Sequence, residues 1–149
     1  KNEIVEIMYL NPDYLPIYPG WMNGCSSVIE NGIPINIPIR DVKKEHLKTR
    51  KLETLTVSDI FKKYNLKTID YIQIDTEGYD QRIIESIDIE SLDVKVLKFE
   101  AFYLNGGFRE KFIIKMKEKN YFTINIGDSG ENIICINIDF LEKCLSSEL

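Results

Sequence analysis

Residues 69–80, Ile69-Asp70-Tyr71-Ile72-Gln73-Ile74-Asp75-Thr76-Glu77-Gly78-Tyr79-Asp80, constrain the fold more than any other stretch. They open as an apolar run of isoleucine and tyrosine and close on two carboxylates and a glycine. The length and side chains suit a strand of a parallel sheet buried on both faces. Residues 79–87 then read as a helix with Ile83, Ile84 and Ile87 on one face. A strand that runs through an acidic turn into a helix places functional groups at the carboxyl edge of an open α/β sheet, where such folds bind ligands. Asp75 is expected at the strand tip, and Gly78 lets the backbone turn sharply into the helix. Asp75 and Glu77 are therefore the first candidates for chemistry. The plainer reading of Glu77 and Asp80 is that they complement the helix amino terminus.

The neighbouring segments extend the alternation. Thr56, with Asp59 three residues on, makes a capping-box-like helix start. Val57, Ile60, Phe61 and Tyr64 follow at helical spacing as one apolar face, and Asn65 ends the helix. Residues 94–100 are the next strand and residues 108–119 a helix with Phe108, Phe112, Ile113 and Met116 inward, closed by Asn120. Residues 121–126 and 132–138 are strands of a hairpin around Gly127-Asp128-Ser129-Gly130. Residues 69–74 and 94–99 should be adjacent and parallel, with a right-handed crossover. Residues 139–149 suit either a short helix or a frayed tail.

The amino-terminal third is different. Residues 3–10 suggest a strand that Asn11-Pro12-Asp13 ends. Pro16, Pro19, Gly20, Gly24, Gly32, Pro34 and Pro38 then forbid a long helix, so residues 11–51 read as an irregular lid or insert beside an α/β core at 52–138. Tyr14, Leu15, Ile17, Tyr18, Trp21 and Met22 make that insert unusually apolar: it packs over a pocket, forms an interface, or is pinned by its own aromatics. Residues 40–51 carry six basic against two acidic side chains. A solvated helix face is the simple explanation, and steering of an anionic substrate is the sharper one.

These segments also carry a resemblance. The stretch at 69–80 resembles the I-D-x-x-K-I-D-x-E-G-x-E/D signature of the FkbM family of S-adenosylmethionine-dependent methyltransferases. Leu55-Thr56-Val57-Ser58-Asp59 is similar to that family's T-L-D helix start. Gly20-Trp21 and Gly24-Cys25-Ser26-Ser27-Val28 resemble its Ser-Ser segment, and Val96-Leu97-Lys98-Phe99-Glu100 its next strand. The matches run in order across residues 4–138. Gln73 departs from the family, which usually has lysine there.

The resemblance implies a Rossmann-like class I methyltransferase sheet, partial, mainly parallel, with a C-terminal antiparallel hairpin. It implies an O-methyltransferase that takes its methyl group from S-adenosylmethionine. Asp75 would be base or orienter, with Glu77 beside it. Ser26, Ser27, Gly78 and Glu100 would serve substrate or cofactor. No metal is implied. The cofactor's glycine-rich turn is not found in residues 1–149, and the family's own would precede Lys1, so the chain reads as one incomplete domain, expected to bind cofactor weakly or not at all by itself. The strand at 71–75 would then have an open edge. Residues 1–10, a second copy of the chain or a preceding N-terminal half would fill it. Rival readings are a non-catalytic α/β interaction module, a metal-dependent nucleotide or sugar enzyme using Asp75 and Glu77 as oxygen ligands, and a plain nucleotide-binding domain.

Composition narrows the partners. A net charge of −5 with 29% charged residues argues against nucleic acid, which asks for a basic face. No run of about 18 apolar residues exists, so no membrane span is expected. The acceptor that the resemblance implies is a small-molecule or glycan hydroxyl. Cys25, Cys135 and Cys144 are too widely spaced for a disulfide framework or zinc site, which suggests the reducing cytoplasm. The single histidine, His46, would have to fold back onto Cys25 to make a nucleophilic dyad.

Overall fold

The computed structural model describes residues 3–34, 37–76, 78–89, 93–128 and 130–146. Two compact units divide the chain, Lys1–Thr56 and Val57–Leu149.

The first unit is an antiparallel sheet. β1 (Ile4–Leu10) is flanked by β2 (Ser26–Glu30) and by β4 (Leu47–Glu53), and β3 (Ile33–Pro34) pairs with β2. Isoleucine, valine and tyrosine favour the extended chain in β1, and Pro12 stops it. Asn31 and Gly32 both hold positive φ, 52° and 78°, as a tight two-residue hairpin loop between β2 and β3 requires. Two 3₁₀ turns, Pro12–Ile17 and Gly20–Met22, follow β1. Leu10, Met22 and Val42 form a small buried cluster against which Tyr14, Leu15, Tyr18, Cys25 and Leu47 pack. The apolar insert is thus pinned largely by its own side chains, while Ile17 and Trp21 stay exposed. A one-turn helix, α1 (Ile37–Arg40), precedes another 3₁₀ turn at Lys44–His46.

The basic stretch expected on a helix face is divided: Arg40 ends α1, Lys44 lies in the 3₁₀ turn, and Lys48, Arg50 and Lys51 stand on the strand β4. β4 pairs with β1 from Leu47 to Glu53 along a full seven-residue register. Lysine and arginine are natural there, because charged side chains protect an exposed edge strand from further pairing.

The second unit is α/β. α2 (Val57–Lys63) leads into β5 (Thr68–Ile74), α3 (Asp80–Ser86) connects β5 to β6 (Asp93–Glu100), and α4 (Gly106–Glu118) precedes the hairpin β7 (Tyr121–Ile126) and β8 (Asn132–Asn137). A last helix, α5 (Ile138–Ser146), follows. The strand order is β5-β6-β8-β7. β5 and β6 are parallel, as the strand–helix–strand pattern predicts, and β7–β8 is the expected antiparallel hairpin. β6–β8 is antiparallel too, so β5, β6 and β7 run in one direction and β8, inserted between β6 and β7, runs against them. Strands that run the same way need crossover connections, which α3 supplies from β5 to β6 and α4 from β6 to β7, while the short turn after β7 returns the chain as antiparallel β8.

The core lies on the face bearing Ile72 and Ile74 of β5, Leu97 and Phe99 of β6, and Ile133 and Cys135 of β8. α3 covers it with Ile84, followed just past the helix end by Ile87, and α4 with Phe112 and Met116. Phe112 meets Phe99 edge-to-face at 5.2 Å. Each large apolar side chain buried here contributes about 1.5–3 kcal/mol. The Asn105 side chain caps α4 by accepting from the Gly107 amide at 3.0 Å, and Asn120, at φ 65°, ends it. On α2 only Val57 and Phe61 turn inward; Ile60 and Tyr64 of the expected apolar face are exposed, since a seven-residue helix presents little more than one inward turn.

β5 is a sheet edge, not a strand covered on both faces. Only β6 flanks it among the described strands, and Thr68, Asp70, Tyr71 and Gln73 are exposed. Residues 4–10 do not fill that edge, because β1 is committed to β2 and β4. The opposite face of the sheet also shows Phe122, Ile124 and Ile126 of β7 to solvent.

Candidate active site at the carboxyl ends of the parallel pair

The register pairs Ile74 with Phe99, so Asp75 and Glu100 come next at the carboxyl ends of neighbouring parallel strands, whose axes lie about 4.8 Å apart. Asp75 is exposed and makes no hydrogen bond or ion pair with any described residue. Glu100 is half-buried, with its Oε2 fully enclosed. Gly78 holds φ 107°, a conformation that L side chains rarely adopt, and so carries the chain from the strand tip into α3. Glu77 lies outside the described residues.

The residue that organises this turn is Asp80. It is 2% exposed at the first position of α3. Its Oδ2 accepts from the Thr76 hydroxyl at 2.9 Å and from the Thr76 and Gly78 amides at 3.3 Å each. Its Oδ1 is buried without a hydrogen-bond partner among the described residues. Asp80 thus does more than complement a helix end: it ties the turn beside Asp75 into a fixed shape. Its spacing, four residues after Thr76 and two after Gly78, was visible in the sequence, but burial decides the role and has no signature there.

Gln73, the departure from the family pattern, accepts a hydrogen bond from the Tyr71 hydroxyl at 2.9 Å. At the other end of the pair, Asp70 and Lys95 stand opposite one another as an ion pair, and the Asp70 hydrogen bond holds the Lys95 ammonium above its usual range.

Ser26 and Ser27 belong to the first unit. Adjacent on β2, they point to opposite faces of its sheet: Ser26 is exposed, whereas Ser27 is buried and donates its hydroxyl to the Val28 carbonyl at 3.0 Å. His46 is not a partner for Cys25. It stacks on Tyr14 at 4.0 Å, and its Nδ1 is hydrogen-bonded to the Tyr18 hydroxyl at 2.8 Å, while the Cys25 thiol contacts the Trp21 carbonyl at 3.6 Å. Cys135 is enclosed, and burial pushes its thiol up to about 12. No cluster of three or more His, Cys, Asp or Glu suited to a metal ion occurs among the described residues. No helix there is long and apolar enough to cross a membrane.

Residues 9–124, well over half of the chain, match the family described as methyltransferase FkbM domain. The chain belongs to the FkbM methyltransferase family. The match runs from the end of β1 through most of β7, including the strand tip from Asp75 to Asp80 and Glu100. Comparisons with curated proteins and with solved structures return no match. For an FkbM domain, an acid at the carboxyl end of a parallel strand stands where an open α/β sheet receives its ligand.

Proposed function

We propose that this FkbM domain is an S-adenosylmethionine-dependent O-methyltransferase in which Asp75 acts on the acceptor hydroxyl. The observation that carries the reading is the exposed carboxylate of Asp75, without a partner among the described residues, on a turn that Asp80 holds in place. A hydroxyl is a weak nucleophile. Asp75 takes its proton, or aims its lone pair, as the oxygen gains a methyl group whose bond to the cofactor's sulfonium would break and leave a neutral thioether. Such a positioned base typically gives roughly 10²–10⁴-fold. Alignment of acceptor oxygen and methyl group supplies much of the rest.

S-adenosylmethionine, when bound, supplies an electrophilic methyl group on a sulfonium. The acidic strand ends fit a cation-bearing group of this kind: Glu77 and Glu100 would hold it, and Gly78 keeps that turn free of a side chain. Among the described residues no glycine-rich turn joins a strand to a helix to cradle the adenosine. The 149 residues are therefore expected to bind the cofactor weakly. Losing several hydrogen bonds of roughly 0.5–1.5 kcal/mol each removes most of the about 8 kcal/mol of a micromolar complex. The acceptor is a small-molecule or glycan hydroxyl, and the three cysteines, in no disulfide among the described residues, favour the cytoplasm.

The test is transfer of label from methyl-tritiated S-adenosylmethionine, at millimolar concentration, to a panel of hydroxylated metabolites and oligosaccharides. Label on oxygen supports the proposal. Label on nitrogen or carbon only, or on nothing while the cofactor binds tightly, defeats it.

A further inference from the structure

We propose that the first unit holds a separate binding site for a small organic acid, a carboxylate on an apolar body of about one ring. A cavity of about 280 Å³ lies over one face of its sheet, lined by Ile7, Tyr9, Leu10, Pro12, Leu15, Asn23, Gly24, Cys25 and Arg50. That is just below the roughly 300 Å³ at which pockets for drug-sized ligands begin. Ile7 and Arg50 stand opposite one another in the β1–β4 register, and Tyr9 stands opposite Lys48 on the same face. Leu10, Pro12 and Leu15 supply apolar wall, and the turn through Asn23 and Gly24 supplies the far side.

Three residues with hydrogen-bonding side chains, Arg50, Asn23 and Tyr9, line this otherwise mainly apolar cavity. None of the three side chains makes a hydrogen bond or ion pair with a described residue. Few polar groups on a mainly apolar lining is the usual make-up of a small-molecule site. All three donate, and a guanidinium matches the two oxygens of a carboxylate with paired N–H bonds. The basic surplus at residues 40–51 adds Lys48 beside Arg50 and favours an anion over a neutral ligand. The site stands on the first unit alone and does not depend on methyl transfer at Asp75.

Titration of the ¹⁵N-labelled chain with benzoate, and separately with the neutral isostere benzamide, tests this. Benzoate should shift the amides of Ile7, Leu10, Gly24 and Cys25 in a saturable way, and benzamide should bind about tenfold more weakly or less. Arg50→Gln should weaken benzoate by about tenfold, and Arg50→Lys should recover part of the loss. Arg50 is exposed, so neither change disturbs a core. The wild-type comparison of the two probes needs no variant at all. Equal binding of benzoate and benzamide, shifts confined to residues outside this cavity, or no shift at millimolar benzoate would each overturn the proposal.

Discussion

Replacing Asp80 with alanine removes the one side chain that ties residues 76–78 to α3. The carboxylate oxygen accepts three hydrogen bonds, one at 2.9 Å and two at 3.3 Å. Bonds to a charged group contribute about 1.5–3 kcal/mol when well made, and the two long ones less, so the gross loss is about 3–4 kcal/mol. Against this, the substitution releases a buried Oδ1 that has no partner among the described residues, a relief of about 1–2 kcal/mol. The net cost is therefore about 2 kcal/mol. At a urea slope near 2 kcal/mol/M, the unfolding midpoint falls by about 1 M. Hydrogen exchange reads the local effect: the Thr76 and Gly78 amides should lose protection in Asp80→Ala while those of β6 keep theirs. Asp80→Asn retains an acceptor in the same place and should preserve most of the turn's protection. An alanine variant with unchanged midpoint and unchanged exchange at Thr76 and Gly78 would refute the role given to Asp80.

The thiol of Cys135 is fully enclosed, so Ellman's reagent at pH 8 should titrate Cys25 and Cys144 in the native protein and the third thiol only after unfolding; three fast thiols would contradict that. Its folded pKa, raised from 9.0 to about 12, means that the native state holds the proton more tightly, so this contribution is complete below pH 9 and is lost as pH climbs towards 12, which alkaline urea melts should show. Gly78→Ala forces a side chain onto φ 107° and should cost roughly 1–2 kcal/mol, a fall of roughly 2–8 °C in Tm, whereas an unmoved Tm would mean that the turn has another shape. Phe99→Ala empties the centre of the core and should cost about 3–5 kcal/mol, while Phe122→Ser on the exposed face should stay within about 0.5 kcal/mol by the same denaturation assay.

The carboxyl-terminal unit was legible because its signals are periodic and local. Isoleucines at helical spacing gave α3, an aromatic stripe closed by Asn120 gave α4, and two apolar runs about a glycine turn gave the β7–β8 hairpin. β4 was not legible, since Leu47-Lys48-Thr49-Arg50-Lys51-Leu52-Glu53 carries the charge of an edge strand and none of the alternation of a buried one. Asn31-Gly32 is a hairpin signal set among prolines that break up the pattern around it. Exposure of β5 was hidden for another reason: an apolar sequence states what a strand would bury, and only the partners present decide what it does bury. Asp75 could be placed at a strand tip from residue pattern alone. The burial of Asp80 and the lining of one cavity by Tyr9, Asn23 and Arg50 depend on residues up to 43 positions apart in the sequence, as Ile7 and Arg50 are, which no local pattern records.

Asp75→Asn keeps the size of the side chain and removes its capacity to take a proton, so it isolates the step assigned to that residue. Single-turnover methyl transfer to oxygen, with S-adenosylmethionine affinity titrated in parallel on the same preparations, should show the rate falling by roughly 10²–10⁴-fold. Cofactor affinity should change by less than about threefold, because the lost interaction belongs to the transition state. A variant that transfers the methyl group at close to the wild-type rate would contradict the account, and the base would have to be sought elsewhere in the chain.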